Sequence, residues 1–257
     1  MTDTHAIAAK PDLQVILSSL LRADFLVLVK NRRALLLGAM LPLLFLVTTN
    51  SQKANGRLGG SVFIVGLCIT IGLLSTSIGG YALTVARDRE KGVFQRLRVT
   101  PAPTWTIMVS RLAIQVVANL IIALAVLVVG SAIHHLSLNA GQYALVLLVS
   151  ILGGAVFLSI AQALVGLLKS ASTVDAASRI VLIALLLSGL LGASGALGST
   201  WESIAKWTPV GPVTTLFSTV LNTAAWSSYD TMSLLACGGY IAVFTGVGIR
   251  WFQWDAR

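Results

Sequence analysis

The chain has 257 residues, 56% of them hydrophobic and only 11% charged, with a mean hydropathy of +0.88 and a formal net charge of +9. That balance excludes a soluble globular domain and describes an all-α polytopic membrane protein. The basic excess needs no nucleic acid: on the inner side of a bilayer it is the ordinary orientation signal and a surface for anionic membrane lipids.

Residues 1–33 read as a cytoplasmic N-terminus. Its first ten residues are mildly polar and lack the charged start, apolar core and small-residue cleavage site of a secretory leader. Pro11-Asp12 opens a helix, with Asp12 as its cap. Leu13, Ile16, Leu17, Leu20 and Leu21 recur at helical spacing, while Gln14, Ser18, Arg22 and Lys30 occupy the other face. The pattern predicts an amphipathic helix lying along the inner leaflet, with a frayed tail as the alternative.

Six runs nearly free of charge follow, at 34–49, 59–85, 107–133, 143–168, 180–197 and 232–250. Each is close to the ~17–25 residues needed to cross roughly 30 Å of hydrocarbon, so 34–251 is expected to be a six-span transmembrane domain with a short tail at 252–257. Lys and Arg then crowd one side, leaving Lys53, Arg57 and Lys206 on the other, and both termini are expected in the cytoplasm. The tryptophans agree: Trp105, Trp251 and Trp254 fall at the inner ends of spans, Trp201, Trp207 and Trp226 in the external segment.

Pro42 predicts a kink in the first span rather than a break, because neighbouring helices can satisfy the freed carbonyl. The second span carries Ser75, Thr76 and Ser77. Between the second and third spans, 86–106 form a loop with five basic side chains from Arg87 to Arg98, which cannot sit in hydrocarbon. Val93, Phe94 and Leu97 make a small apolar knob on a short helix that Thr100-Pro101 ends. Such a knob suits a groove on a soluble protein, with Arg87, Arg89, Glu90 and Arg98 as its polar rim; a solvated helix on the membrane surface fits the charge equally well.

Gln115 and Asn119, one turn apart on the third span, and Gln162 on the fourth join Ser75 and Thr76 as candidate pathway-lining residues. Interhelical hydrogen bonding is the commoner use of such groups. His134 and His135 mark the end of the third span and, being adjacent, diverge too far on a helix to hold a metal together. Gly189, Gly192, Gly195 and Gly198 give the fifth span a smooth side for close packing or a dimer seam. In the external segment, 199–230, Trp207-Thr208-Pro209-Val210-Gly211-Pro212 interrupts regular helix ahead of an apolar cluster that includes Phe217. It predicts two short helices dipping partway into the membrane. Cys68 and Cys237 fall inside spans as buried thiols, and the absence of Asp and Glu from the spans disfavours proton-coupled carriage.

The segment after the second span resembles the cytoplasmic motif of the ATP-binding-cassette type-2 export permeases, Glu-x-Gly-Thr-x-Glu-x-Leu followed by Thr-Pro. Glu90, Gly92, Leu97, Thr100 and Pro101 match, while Val93 and Gln95 stand where the family has Thr and the second Glu. The resemblance implies a permease with no ATPase or cofactor of its own, and the sequence contains no phosphate-binding Gly-x-x-x-x-Gly-Lys loop. It implies a partner ABC ATPase subunit binding ATP and Mg, a second permease copy, and a bacterial plasma membrane location. Arg87, Arg89, Glu90, Gly92, Phe94, Leu97, Thr100 and Pro101 would couple to that ATPase, and Trp207, Pro209, Pro212 and Phe217 would help form an outer gate. Uncharged spans suit amphiphilic or apolar cargo such as drugs, antibiotics or lipids. Polysaccharide or glycolipid export and a carrier independent of ATP are the alternatives.

Overall fold

A computed structural model describes residues 13–30, 32–49, 60–93, 95, 104–194 and 198–251, and no strand occurs among them. Nine helices are described: α1 (Leu13–Lys30), α2 (Arg32–Thr48), α3 (Ser61–Glu90), α4 (Thr104–Ile133), α5 (Ala140–Leu167), α6 (Ala171–Ser194), α7 (Ser199–Trp207), α8 (Val210–Asn222) and α9 (Ser228–Trp251). Five of them, α3 to α6 and α9, are long and apolar enough to cross a membrane. The first expected span is α2, whose 17 residues pass through Pro42 without a break. At ~1.5 Å per residue it falls short of a full hydrocarbon layer of roughly 30 Å.

The core forms around α3, where every residue from Ile64 to Leu74 is buried. In a bilayer, where lipid is as apolar as a neighbouring helix, close packing around small residues such as Gly66 and Gly72 holds such a helix at the centre. Here α2, α4, α5 and α8 surround it: a Cβ on Gly72 would meet Ile122 at 2.9 Å and one on Gly66 would meet Phe217 at 3.0 Å. Between Ser75 and Tyr81 the helix widens into a π-helical turn. α5 begins with a reciprocal cap: Gln142 N–H donates to Asn139 Oδ1 at 2.8 Å, and Asn139 N–H to Gln142 Oε1 at 2.9 Å. Gln142 Nε2 also donates to Leu221 O at 3.0 Å, tying the start of α5 to the end of α8.

α1 lies against α4, and four of the five apolar positions expected to face the inner leaflet, Ile16, Leu17, Leu20 and Leu21, are half-buried, as are Asp24 and Leu28. Leu13 is exposed, and the expected cap Asp12 lies outside the described residues. One expectation changes. α3 continues to Glu90, so Arg87 to Glu90 form the last turn of a long helix rather than a separate loop. The glycines of α6 pack inward: a Cβ on Gly189 would lie 2.8 Å from Val210 Cγ1 and one on Gly192 2.3 Å from Ala205 Cβ. These two pack closely against α7 and α8, the first of the two readings given for them; Gly195 lies outside the described residues. Cys68 and Cys237 are free and fully buried.

Candidate functional site

The end of α3 is built by local chemistry. Lys91 N–H donates to Arg87 O and Gly92 N–H to Arg89 O, and the helix stops because Gly92 takes φ +67, a left-handed conformation that glycine adopts without penalty. Within that last turn the charged side chains diverge. Arg87 is exposed, and so is Gln95 beyond the turn. Arg89 does not form part of a solvated rim: its side chain turns inward, is 2% exposed, and reaches the carbonyl groups of Val165, Leu168 and Lys169 at 2.6–2.9 Å. Glu90 accepts the Ala171 N–H at 2.5 Å. Phe94, Leu97, Arg98, Thr100 and Pro101, which carry the rest of the expected knob, lie outside the described residues.

The polar residues expected to line a pathway come together as a network linking α3 to α4 and α5. Thr76 Oγ1 donates to Asn119 Oδ1 at 2.6 Å, and Asn119 Nδ2 to Ser77 Oγ at 3.1 Å. Gln115 Nε2 donates to Thr76 O at 3.3 Å, filling a backbone acceptor in the π-helical turn. Gln162 accepts from Tyr81 OH at 2.9 Å. Asn119 is 1% exposed and Gly154 leaves the room it occupies, so Asn119 holds helices together rather than facing a path. Ser75 Oγ is buried without a partner among the described residues.

Thr76 and Gln115 do face open space. A cavity of about 390 Å³ lies between α1, α3 and α4 at the basic end of the bundle. Val27 and Leu28 of α1, Val85 of α3, and Ile114 and Ala118 of α4 supply apolar wall; Thr76, Tyr81 and Gln115 supply polar groups. Three charged side chains complete the lining. Asp88 pairs with Arg111, and Asp24 accepts from Ser110 Oγ at 2.6 Å, an arrangement that also pins α1 to α4. Sequence reasoning missed this group; the signal was Arg111, a cation seven residues into a long apolar helix.

At the opposite end, the gate candidates separate. Pro209 caps α8, while Pro212 and Phe217 are buried in the packing of α8. Trp207 is half exposed, accepts a hydrogen bond at its carbonyl from Tyr240 OH, and meets Tyr229 edge-on at 6.1 Å. Asp230, buried in the first turn of α9, accepts from Thr219 Oγ1 and Ser227 Oγ at 2.6 Å each and from Ser227 N–H at 2.8 Å. A second, almost wholly apolar cavity lies between α6 and α7, beside Leu187, Gly192, Trp201 and Ile204.

A core helix sheathed by other long apolar helices, a paired short-helix insertion and charged turns gathered at one end define a multi-pass helical membrane protein. The family model for ABC-2 family transporter proteins matches residues 35–250, and the chain belongs to that family, whose members are membrane permeases without an ATPase of their own. No curated protein matches the chain.

Proposed function

We propose that this chain is the permease subunit of an ATP-driven exporter for amphiphilic or hydrophobic cargo, drugs, antibiotics or lipids among them. A separate ABC ATPase would dock on 87–101, two copies of the permease would flank the pathway, and both termini would face the cytoplasm of a bacterial cell. Family membership supports an ATPase-driven transporter. For cargo the supporting observation is the cavity between α1, α3 and α4, where apolar side chains and a small charged group lie side by side. Amphiphiles present both kinds of surface, and a helix along the inner leaflet would bring them to its mouth.

The test is ATP hydrolysis by the permease and its ATPase reconstituted together in liposomes, with drugs, phospholipids and glycolipids added in turn. Stimulation by drugs or phospholipids is the expected result. Stimulation by glycolipids alone overturns the cargo assignment, and transport driven by an ion gradient without ATPase overturns the whole reading.

A further inference from the structure

We propose that Arg89 and Glu90 are a positioning pair that fastens the 168–170 turn to the coupling segment, so that displacement of that segment reaches α5 and α6 as one body. The source of displacement rests on the permease reading above; the fastening rests on geometry. A helix leaves its last four carbonyls and first four N–H groups without internal partners, with partial negative charge at its C-terminus and partial positive charge at its N-terminus. Both kinds of end meet at this turn. Arg89 Nη1 donates to Val165 O at 2.9 Å, and Nη2 donates to Leu168 O at 2.6 Å and Lys169 O at 2.8 Å. One residue on, Glu90 accepts the N–H of Ala171, the first residue of α6, at 2.5 Å. Ser170 Oγ takes the Thr173 N–H at 3.2 Å, completing the cap. Two neighbouring residues of α3 therefore set a cation on the negative end of one helix and an anion on the positive end of the next. The reverse order would repel at both.

A guanidinium suits the position because its planar fork reaches several carbonyls at once, whereas an ammonium is a single point. It is buried with Nε unpartnered among the described residues, a cost that the charge-assisted bonds to three carbonyls offset. A second rivet stops α3 from pivoting about the first: Tyr81 and Gln162 join the same two helices about two turns away from Arg89. From α5 the motion passes sideways. A Cβ on Gly166 would lie 3.0 Å from Gly248 O, so the backbones of α5 and α9 touch beside the Val165 carbonyl that Arg89 holds.

Spin labels on Gln95→Cys and Arg179→Cys, both exposed, test the fastening by pulsed EPR on the full chain in liposomes, with Cys68 and Cys237 replaced by alanine. The native pair gives one narrow distance distribution, retained when ATP and vanadate trap the complex with the ATPase. Arg89→Met broadens and shifts it; Arg89→Lys, which keeps the charge and fewer bonds, falls between. Should Arg89→Met not reach the membrane, Glu90→Leu strips the cap from Ala171 and broadens the distribution in the same way. Distributions in Arg89→Met or Glu90→Leu that match the native one overturn the proposal, as does a native distance that changes on trapping. The nucleotide-free measurement needs neither ATPase nor cargo. A chain that holds the narrow distance but binds no ATPase therefore refutes the coupling reading while upholding the fastening.

Discussion

Single side chains decide how the basic turn is used. Gly92 is the clearest case, since its φ of +67 disfavours any L side chain while the space around it is only moderately tight, with Gln95 Oε1 at 3.3 Å from a built Cβ. Gly92→Ala is expected to destabilise the turn by about 1–2 kcal/mol and Gly92→Asn by less, because asparagine tolerates the left-handed region. Thermal unfolding of the purified chain and the amount of ATPase it retains should both follow the order Gly, Asn, Ala. The polar network yields a second prediction. Asn119 is buried and bonded to Thr76 and Ser77, so Asn119→Ala should lower stability by roughly 1–2 kcal/mol, the scale of interhelical hydrogen bonds in membranes. Gln115 is only half buried and lines the cavity, so Gln115→Ala should unfold close to the native temperature yet alter which amphiphiles stimulate ATP hydrolysis. Equal loss of stability in both variants would erase the distinction between a packing amide and a lining one.

At the scale of elements, the α7–α8 pair depends on the tight corner between Trp207 and Val210. A Cβ on Gly211 would lie 2.4 Å from Lys206 O and 2.5 Å from Ala205 O, backbone atoms that cannot step aside. Gly211→Ala should therefore cost about 1–3 kcal/mol, the usual penalty of overpacking, and show as a lowered melting temperature even though glycine-to-alanine ordinarily favours helix. This corner was legible in the sequence because Pro209, Gly211 and Pro212 announce it locally. The five long helices were legible for a similar reason, as hydropathy needs no partner to be read. Their ends were harder to read. α6 starts at Ala171, nine residues before the expected 180, because Asp175 and Arg179 pair at one helical turn and continue the helix instead of marking a loop. Arg89 was expected in water for lack of a partner in hydrocarbon. Its partners are carbonyls some eighty positions further along the chain, and local spacing carries no trace of them. The buried position of Phe217 against Gly66 follows from the crossing of α8 and α3, again a long-range fact.

The whole molecule has two chemically unlike ends, and this predicts an orientation that can be measured. Among the described residues, Arg87, Arg89, Lys91, Arg111, Lys169 and Arg250 gather where α3 and α5 finish and α6 begins, while Lys206 is the one lysine or arginine at the other end. Retention of basic segments on the inner side predicts the 168–170 turn, with the coupling segment, in the cytoplasm and the 134–139 and 223–227 turns outside. Buried native thiols make the experiment clean, since Cys68 and Cys237 are fully shielded and should react slowly with a membrane-impermeant maleimide. Single cysteines introduced as Ser137→Cys or Asn222→Cys, both exposed, should label in intact cells. Those introduced as Lys91→Cys or Ser172→Cys, exposed at the opposite end, should label only after the membrane is opened. The reverse pattern would put the basic end outside, where no ATPase could reach it, and would remove the basis for reading the α3 terminus as the point where work enters the bundle. Because Arg89 and Glu90 bind that terminus to the turn between α5 and α6, Lys91→Cys and Ser172→Cys must report the same side. Disagreement between those two positions would contradict the fold itself, independently of any assignment of direction.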